Sequence, residues 1–139
     1  MKRILGIDFG KKRIGAAVSD PLGITAQPVE VIENNTSAID RIKELCEKYE
    51  AGRVVVGLPK NLKGEIAQSA QDVLAFVKKL RKAAGDIPVI TYDERLSTAS
   101  VMKTLSETGM SGRKKRQVVD KMAAAYILQG YMDGHKKDS

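Results

Sequence analysis

Apolar residues follow two rhythms along this chain, and the rhythms alternate. Ile4 to Phe9 is an apolar run broken only by Gly6 and Asp8, the pattern of a strand covered on both faces. Arg13 to Ser19 repeats it across the tight Gly10-Lys11-Lys12 turn, and Gln27 to Glu33 follows after Pro21 and Gly23. Connections this short predict an antiparallel meander. From Ser37 the rhythm changes. Ile39, Ile42, Leu45, Cys46 and Tyr49 recur three and four residues apart, a helical stripe that Gly52 should end. Arg53 to Pro59 is rich in β-branched residues and predicts a central strand. The polar loop KNLKGE leads into a long helix from about Glu65 to Ala84, closed by Gly85. Its apolar side carries Ile66, Ala70, Val73, Leu74, Val77 and Leu80. Ile87 to Glu94 is a further strand ending in two acids. Ser97 should cap a shorter helix to about Glu107. TGMSGRKKR reads as a loop, and a last helix spans about Lys115 to Met132.

Helical connections make the first, fourth and fifth strands parallel, and the meander extends the sheet on one side. The fold class is therefore α/β: a mixed five-stranded sheet, a three-stranded antiparallel meander plus two parallel strands, with helices on both faces. At 139 residues, with no linker or repeat, residues 1–139 read as a single domain, and about 134–139 as a disordered tail containing His135.

Composition narrows the function classes. Hydrophobic residues make up 42% and charged residues 29%, an ordinary globular balance. No apolar run reaches the ~20 residues of a membrane span, and Asp8 interrupts any leader pattern, so a cytoplasmic protein without membrane contacts is expected. The one cysteine, Cys46, reads as core. A net charge of +7 favours anionic partners, nucleic acid first. With 4% aromatics and no Trp, contact through phosphates is a better expectation than base stacking.

The acids converge. In open α/β sheets the site lies outside the carboxyl ends of the parallel strands. Asp8 ends the first strand, and Asp93 and Glu94 end the fifth. Alternation puts Ile4, Gly6 and Asp8 on one face, with Gly6 leaving room beside the acid. In the last helix Asp120 shares a face with Ala123, Ala124 and Ile127, an apolar setting where an acid is rare. Like charges at ~4 Å repel by roughly 4 kcal/mol at an effective dielectric of ~20. Such a cluster stays ionised only with cations, and Mg²⁺ or Mn²⁺ suits oxygen ligands with open positions for phosphate and water. Alternation separates Asp93 from Glu94 without choosing between them. Each acid also has a bland reading: Asp8 neutralised by Lys11 or Lys12, Asp93 paired with Arg95, Asp120 paired with Arg116.

GIDFGKKRIGAAVSD, VVVGLPKNLKGE, YDERLST and VDKMAAAYILQ together resemble the YqgF/RuvX family, over about Ile4 to Tyr131 and in the family order. The resemblance implies a ribonuclease H-like fold and a metal-dependent nuclease. It implies either 5′-end processing of the small-subunit ribosomal RNA precursor or resolution of Holliday junctions. The family's catalytic and metal-binding acids fall on Asp8, Glu94 and Asp120, with Mg²⁺ or Mn²⁺ as cofactor; only this match prefers Glu94 to Asp93. Leu62, where the family often carries Met, is a mild departure.

Lys11, Lys12 and Arg13 flank Asp8 and are candidate phosphate contacts, as are Arg95 and the run Arg113, Lys114, Lys115 and Arg116; for each, a solvated surface is the competing reading. Structured RNA is the favoured partner and branched DNA the alternative, with the chain a monomer or weak homodimer. A non-catalytic RNA-binding assembly factor is a separate class. DFGKKRIG also resembles the first phosphate loop of actin-like ATPases, but this chain has length for one of the two domains they need.

Overall fold

A computed structural model describes residues 2–58, 68–93 and 113–135; for 68–70, 93, 113–121 and 135 it describes the backbone alone. The strands are β1 (Arg3–Asp8), β2 (Arg13–Ser19), β3 (Ala26–Glu33), β4 (Ala51–Leu58) and β5 (Val89–Asp93). The helices among the described residues are α1 (Ala38–Lys48), α2 (Gln68–Ala84) and α3 (Arg113–His135). The sheet order is β3-β2-β1-β4-β5. β1 pairs antiparallel with β2, and β2 with β3. β1 with β4 and β4 with β5 are parallel. This is the mixed five-stranded sheet that the chain pattern predicts.

The sheet is covered on both faces because its inner strands are apolar at nearly every position. On one face Leu5, Ile7, Ile14, Val18, Val54 and Val56 pack under α1 and α2. On the other, Ala17 and Val55 meet Ala123, Ala124, Ile127 and Leu128 of α3. Alternation along β1 therefore separates Leu5 and Ile7 from Ile4, Gly6 and Asp8. Cys46 is buried in the first core, and burial pushes its thiol up from the ordinary range.

Several local expectations change. Helix α1 ends at Lys48, and the chain turns at Glu50, which takes a left-handed backbone (φ 53°). Gly52 instead lies inside β4, where a Cβ would come within 2.8 Å of the Lys2 side chain. Ser37 occupies the N-cap of α1 but makes no side-chain cap bond; its N–H donates to Asn35 Oδ1 at 2.8 Å. On α2 the buried stripe is Val73, Phe76, Val77 and Leu80, while Leu74 is 41% exposed. Position 76 completes an i, i+3, i+4, i+7 face that leaves 74 to one side. Gly85 closes α2 at φ +63°. The run Arg113–Arg116 opens α3 rather than lying in a loop, since arginine and lysine are good helix formers. The last helix also continues through Gly134 and His135, where a tail was expected. The KNLKGE loop, the first turn expected for α2, Glu94, Arg95, the helix expected from Ser97, and residues 136–139 lie outside the described residues.

Candidate active site

Parallel pairing sets the strand ends level. Ile7 lies beside Val56, and Leu58 beside Asp93, so the carboxyl ends of β1, β4 and β5 form one edge of the sheet. Asp8 stands on that edge. It is the last residue of β1, opposite Gly15 of β2, and only 3% exposed. Its Oδ1 is enclosed and accepts no hydrogen bond, while the residue keeps other interactions within the chain. Buried aspartate is almost confined to paired or metal-bound positions. Besides Asp8, the buried polar residues include Ser19, whose Oγ accepts the Ile4 N–H at 2.8 Å.

Helix α3 crosses this strand closely. A Cβ on Gly6 would stand 2.7 Å from Leu128 Cβ and 3.2 Å from the Ala124 carbonyl oxygen. The space left by Gly6 is thus filled by the helix, not kept open beside the acid as the sequence implied. Near the start of β1 the contact involves a later turn of α3: Arg53, which pairs with Ile4, donates to Tyr131 Oη at 2.6 Å. Helix numbers fall as strand numbers rise, so α3 runs antiparallel to β1. Asp120, one turn before Ala124, therefore falls toward the Asp8 end of the strand. The small residues Ala123 and Ala124, both fully buried, permit that approach. Gly130 does the same for Tyr92 of β5, whose hydroxyl would lie 3.0 Å from an added Cβ.

The turn after Asp8 is held rigidly. A Cβ on Gly10 would collide with the Arg13 carbonyl oxygen. Asn34 clamps the turn twice, its Nδ2 donating to the Gly10 carbonyl at 2.8 Å and its backbone N–H to that of Lys12 at 3.0 Å. Lys11 and Lys12 are exposed on this turn and Arg13 is half-buried. Arg113, Lys114, Lys115 and Arg116 form the first turns of α3, at the end of the helix that points toward the same edge. Sequence reasoning missed the Asn34 clamp; its trace is the Asn34-Asn35 pair before α1, a turn signal with side chains able to bond backbone.

Among the described residues no three acids, histidines or cysteines lie close enough to hold an ion. Glu94 follows the last described residue of β5, and Asp120 is described by backbone alone, so this concerns Asp8 without its expected companions. An enclosed carboxylate at a strand end, with a helix bringing the Asp120 turn toward it, fits a hard divalent cation.

Known proteins match the chain over nearly its whole length. The model of a family described as "RuvX: Holliday junction resolvase" matches residues 2–134. The chain belongs to the RuvX family. Its relatives include a Desulforamulus reducens protein named "Putative pre-16S rRNA nuclease", 46% identical over 137 residues, covering 97% of this chain and 99% of that one. A Listeria innocua protein of the same name is 45% identical over 135 residues, covering 94% and 97%. Among solved structures, Thermus thermophilus RuvC in complex with a Holliday junction superposes with TM-score 0.54 at 19% identity, over 98% and 96% of the two chains. Fowlpox virus resolvase bound to Holliday junction DNA gives 0.51 at 14% identity, over 95% and 97%. Those two likenesses establish the fold: this chain shares the ribonuclease H-like sheet of these resolvases. No helix among the described residues is long and apolar enough to cross a membrane.

Proposed function

We propose that this RuvX protein is a nuclease that hydrolyses phosphodiester bonds with Mg²⁺ or Mn²⁺ held by Asp8, Glu94 and Asp120. The observation that carries this reading is Asp8, a carboxylate 3% exposed at the carboxyl end of β1 and on the face crossed by α3. When bound, the metal supplies Lewis acidity and lowers the pKa of a coordinated water. The chain's own residues do the rest. The three carboxylates supply hard oxygen ligands from separate elements, and the covered sheet face limits water around Asp8. Lys11, Lys12, Arg13, Arg95 and the cations opening α3 hold the phosphate backbone across the edge. The whole chain, 1–139, acts as one nuclease domain in the cytoplasm, as a monomer or weak homodimer.

The substrate we favour is the 5′ end of the small-subunit ribosomal RNA precursor, in ribosome biogenesis. Relatives about 45% identical over nearly their full length are named for a pre-16S rRNA nuclease, whereas the junction-bound structures are 19% and 14% identical. The second reading, resolution of Holliday junctions, rests on the family description and the same chemistry. Incubation with precursor rRNA and with four-way junctions, each with Mg²⁺, separates them. Cleavage of the precursor is expected, and cleavage of the junction alone would overturn the RNA reading. If Asp8→Asn and Asp120→Asn fold and cut normally, the acids are structural and the chain is closer to an RNA-binding assembly factor.

A further inference from the structure

Asp8 and Phe9 are neighbours in sequence but face opposite sides of the sheet. Phe9 turns to the α1–α2 side, where its ring lies 4.8 Å from that of Phe76, tilted by 41°. Above this pair is a cleft of about 510 Å³ between the β1–β2 turn, the β3–α1 connection and the first half of α2. That size is within the ~300–1,000 Å³ of small-ligand sites. Its lining joins the apolar Ile39 and Ala75 and the two rings to the polar Lys11, Lys79, Asn34 and Thr36. Asp72 is the one acid on the described rim, so the mouth is net cationic. The Asn34 clamp on Gly10 and Lys12 fixes the rim in advance, which lowers the ordering cost of binding.

An aromatic lining and a cationic mouth, at the same strand end as Asp8 but on the other face of the sheet, together select one kind of occupant. A base has a π-face for the rings, and its phosphates suit the two lysines. We propose that this cleft is a subsite for one unpaired nucleotide of the substrate strand. Its base lies against Phe9 and Phe76, and its phosphates against Lys11 and Lys79. The proposal rests on the nuclease reading and adds that the enzyme favours substrates with a single-stranded segment beside the cut.

The test is binding in EDTA, which holds off cleavage, of a fluorescein-labelled RNA hairpin carrying a short adenosine tail and of the same hairpin made blunt. The native protein should bind the tailed hairpin about tenfold more tightly. Ala75→Leu, at an exposed helical position, fills the cleft without adding charge, and Lys79→Ala removes a rim cation. In each, the tailed probe should fall to the blunt level, with circular dichroism melts confirming the fold. Lys82→Ala, which removes a like charge further along α2, should keep the preference. Equal binding of both probes by a native protein that still cuts RNA with Mg²⁺ overturns the subsite and leaves the nuclease reading standing. Retention of the preference in Ala75→Leu overturns it too. Failure to bind either probe overturns the subsite, and the nuclease reading falls with it only if the protein also cuts no RNA with Mg²⁺.

Discussion

A methyl group at position 6 is the smallest change with consequences at the candidate site. Leu128 Cβ is fixed by its own helix backbone, and the Ala124 carbonyl is backbone as well, so neither can rotate away from a Cβ at 2.7 and 3.2 Å. Gly6→Ala must push α3 off the sheet, an overpacking cost of about 1–3 kcal/mol. Differential scanning calorimetry should show the lowered Tm, and cleavage should fall further than stability, because the turn holding Asp120 moves with the helix. Asp8→Asn separates the same two quantities. It is nearly isosteric, so the apo protein should keep the native fold, read by circular dichroism. A ligand that binds only the folded state raises Tm by mass action, and the native protein should show that rise with Mg²⁺. Asp8→Asn should lose it. Removing mere outer-shell partners costs 10–100-fold, so losing a ligand should lower cleavage by at least about a hundredfold.

Two elements carry charge arrangements with opposite logic. Helix α3 opens with Arg113, Lys114, Lys115 and Arg116 and has no acid in its first turn, although a helix N-terminus favours anions. These cations are misplaced for helix stability, and the proposed function gives them phosphates to hold instead. Lys114→Gln with Lys115→Gln should therefore raise stability at low ionic strength by about 0.3–1 kcal/mol per charge, an effect that added salt erases in thermal melts. Helix α1 is instead tied to the sheet by charge. Arg41 bridges Glu30 of β3 at 2.6 Å and Glu44 at 2.8 Å. The hydrogen bond from Arg41 holds the Glu30 carboxyl below its usual range, and the Arg41 guanidinium is pushed further up by the same bond. A folded-state pKa below the unfolded one gives stability present above the unfolded pKa and lost as pH falls through the folded value. Stability should thus drop as acid protonates Glu30, and Glu30→Gln should flatten that drop while lowering stability at neutral pH. Urea titrations across the acidic range read both effects.

At the scale of the whole molecule, the frame was legible because period-two alternation and short connections leave little freedom. They fixed the meander, the parallel strands and the shared face of Ile4, Gly6 and Asp8. What was illegible depends on partners distant in sequence. Nothing near Gly6 tells that Leu128 lies on it, and nothing near Phe9 tells that Phe76 does. Gly52 misled because glycine commonly ends helices, whereas Glu50 made the turn here; the glycines of TGMSGRKKR hid a helix that begins right after them. The same frame gives the charge an address. The β1–β2 turn and the start of α3 lie at the candidate-site edge, while Lys48 ends α1 at the opposite edge, just before β4 begins. If nucleic acid binds across the site edge, only cations there release counterions. The slope of log affinity against log salt should then fall in magnitude by about 0.7–0.9 for each phosphate that is no longer neutralised. Lys11→Gln with Lys12→Gln should flatten the slope accordingly, measured by fluorescence anisotropy with a labelled RNA hairpin. Lys48→Gln, which changes net charge by the same sign but sits at the far edge beside Tyr49, should leave the slope unchanged. Equal flattening per charge removed, two in the first variant and one in the second, would mean that the overall +7 charge, rather than the strand-end edge, attracts the nucleic acid.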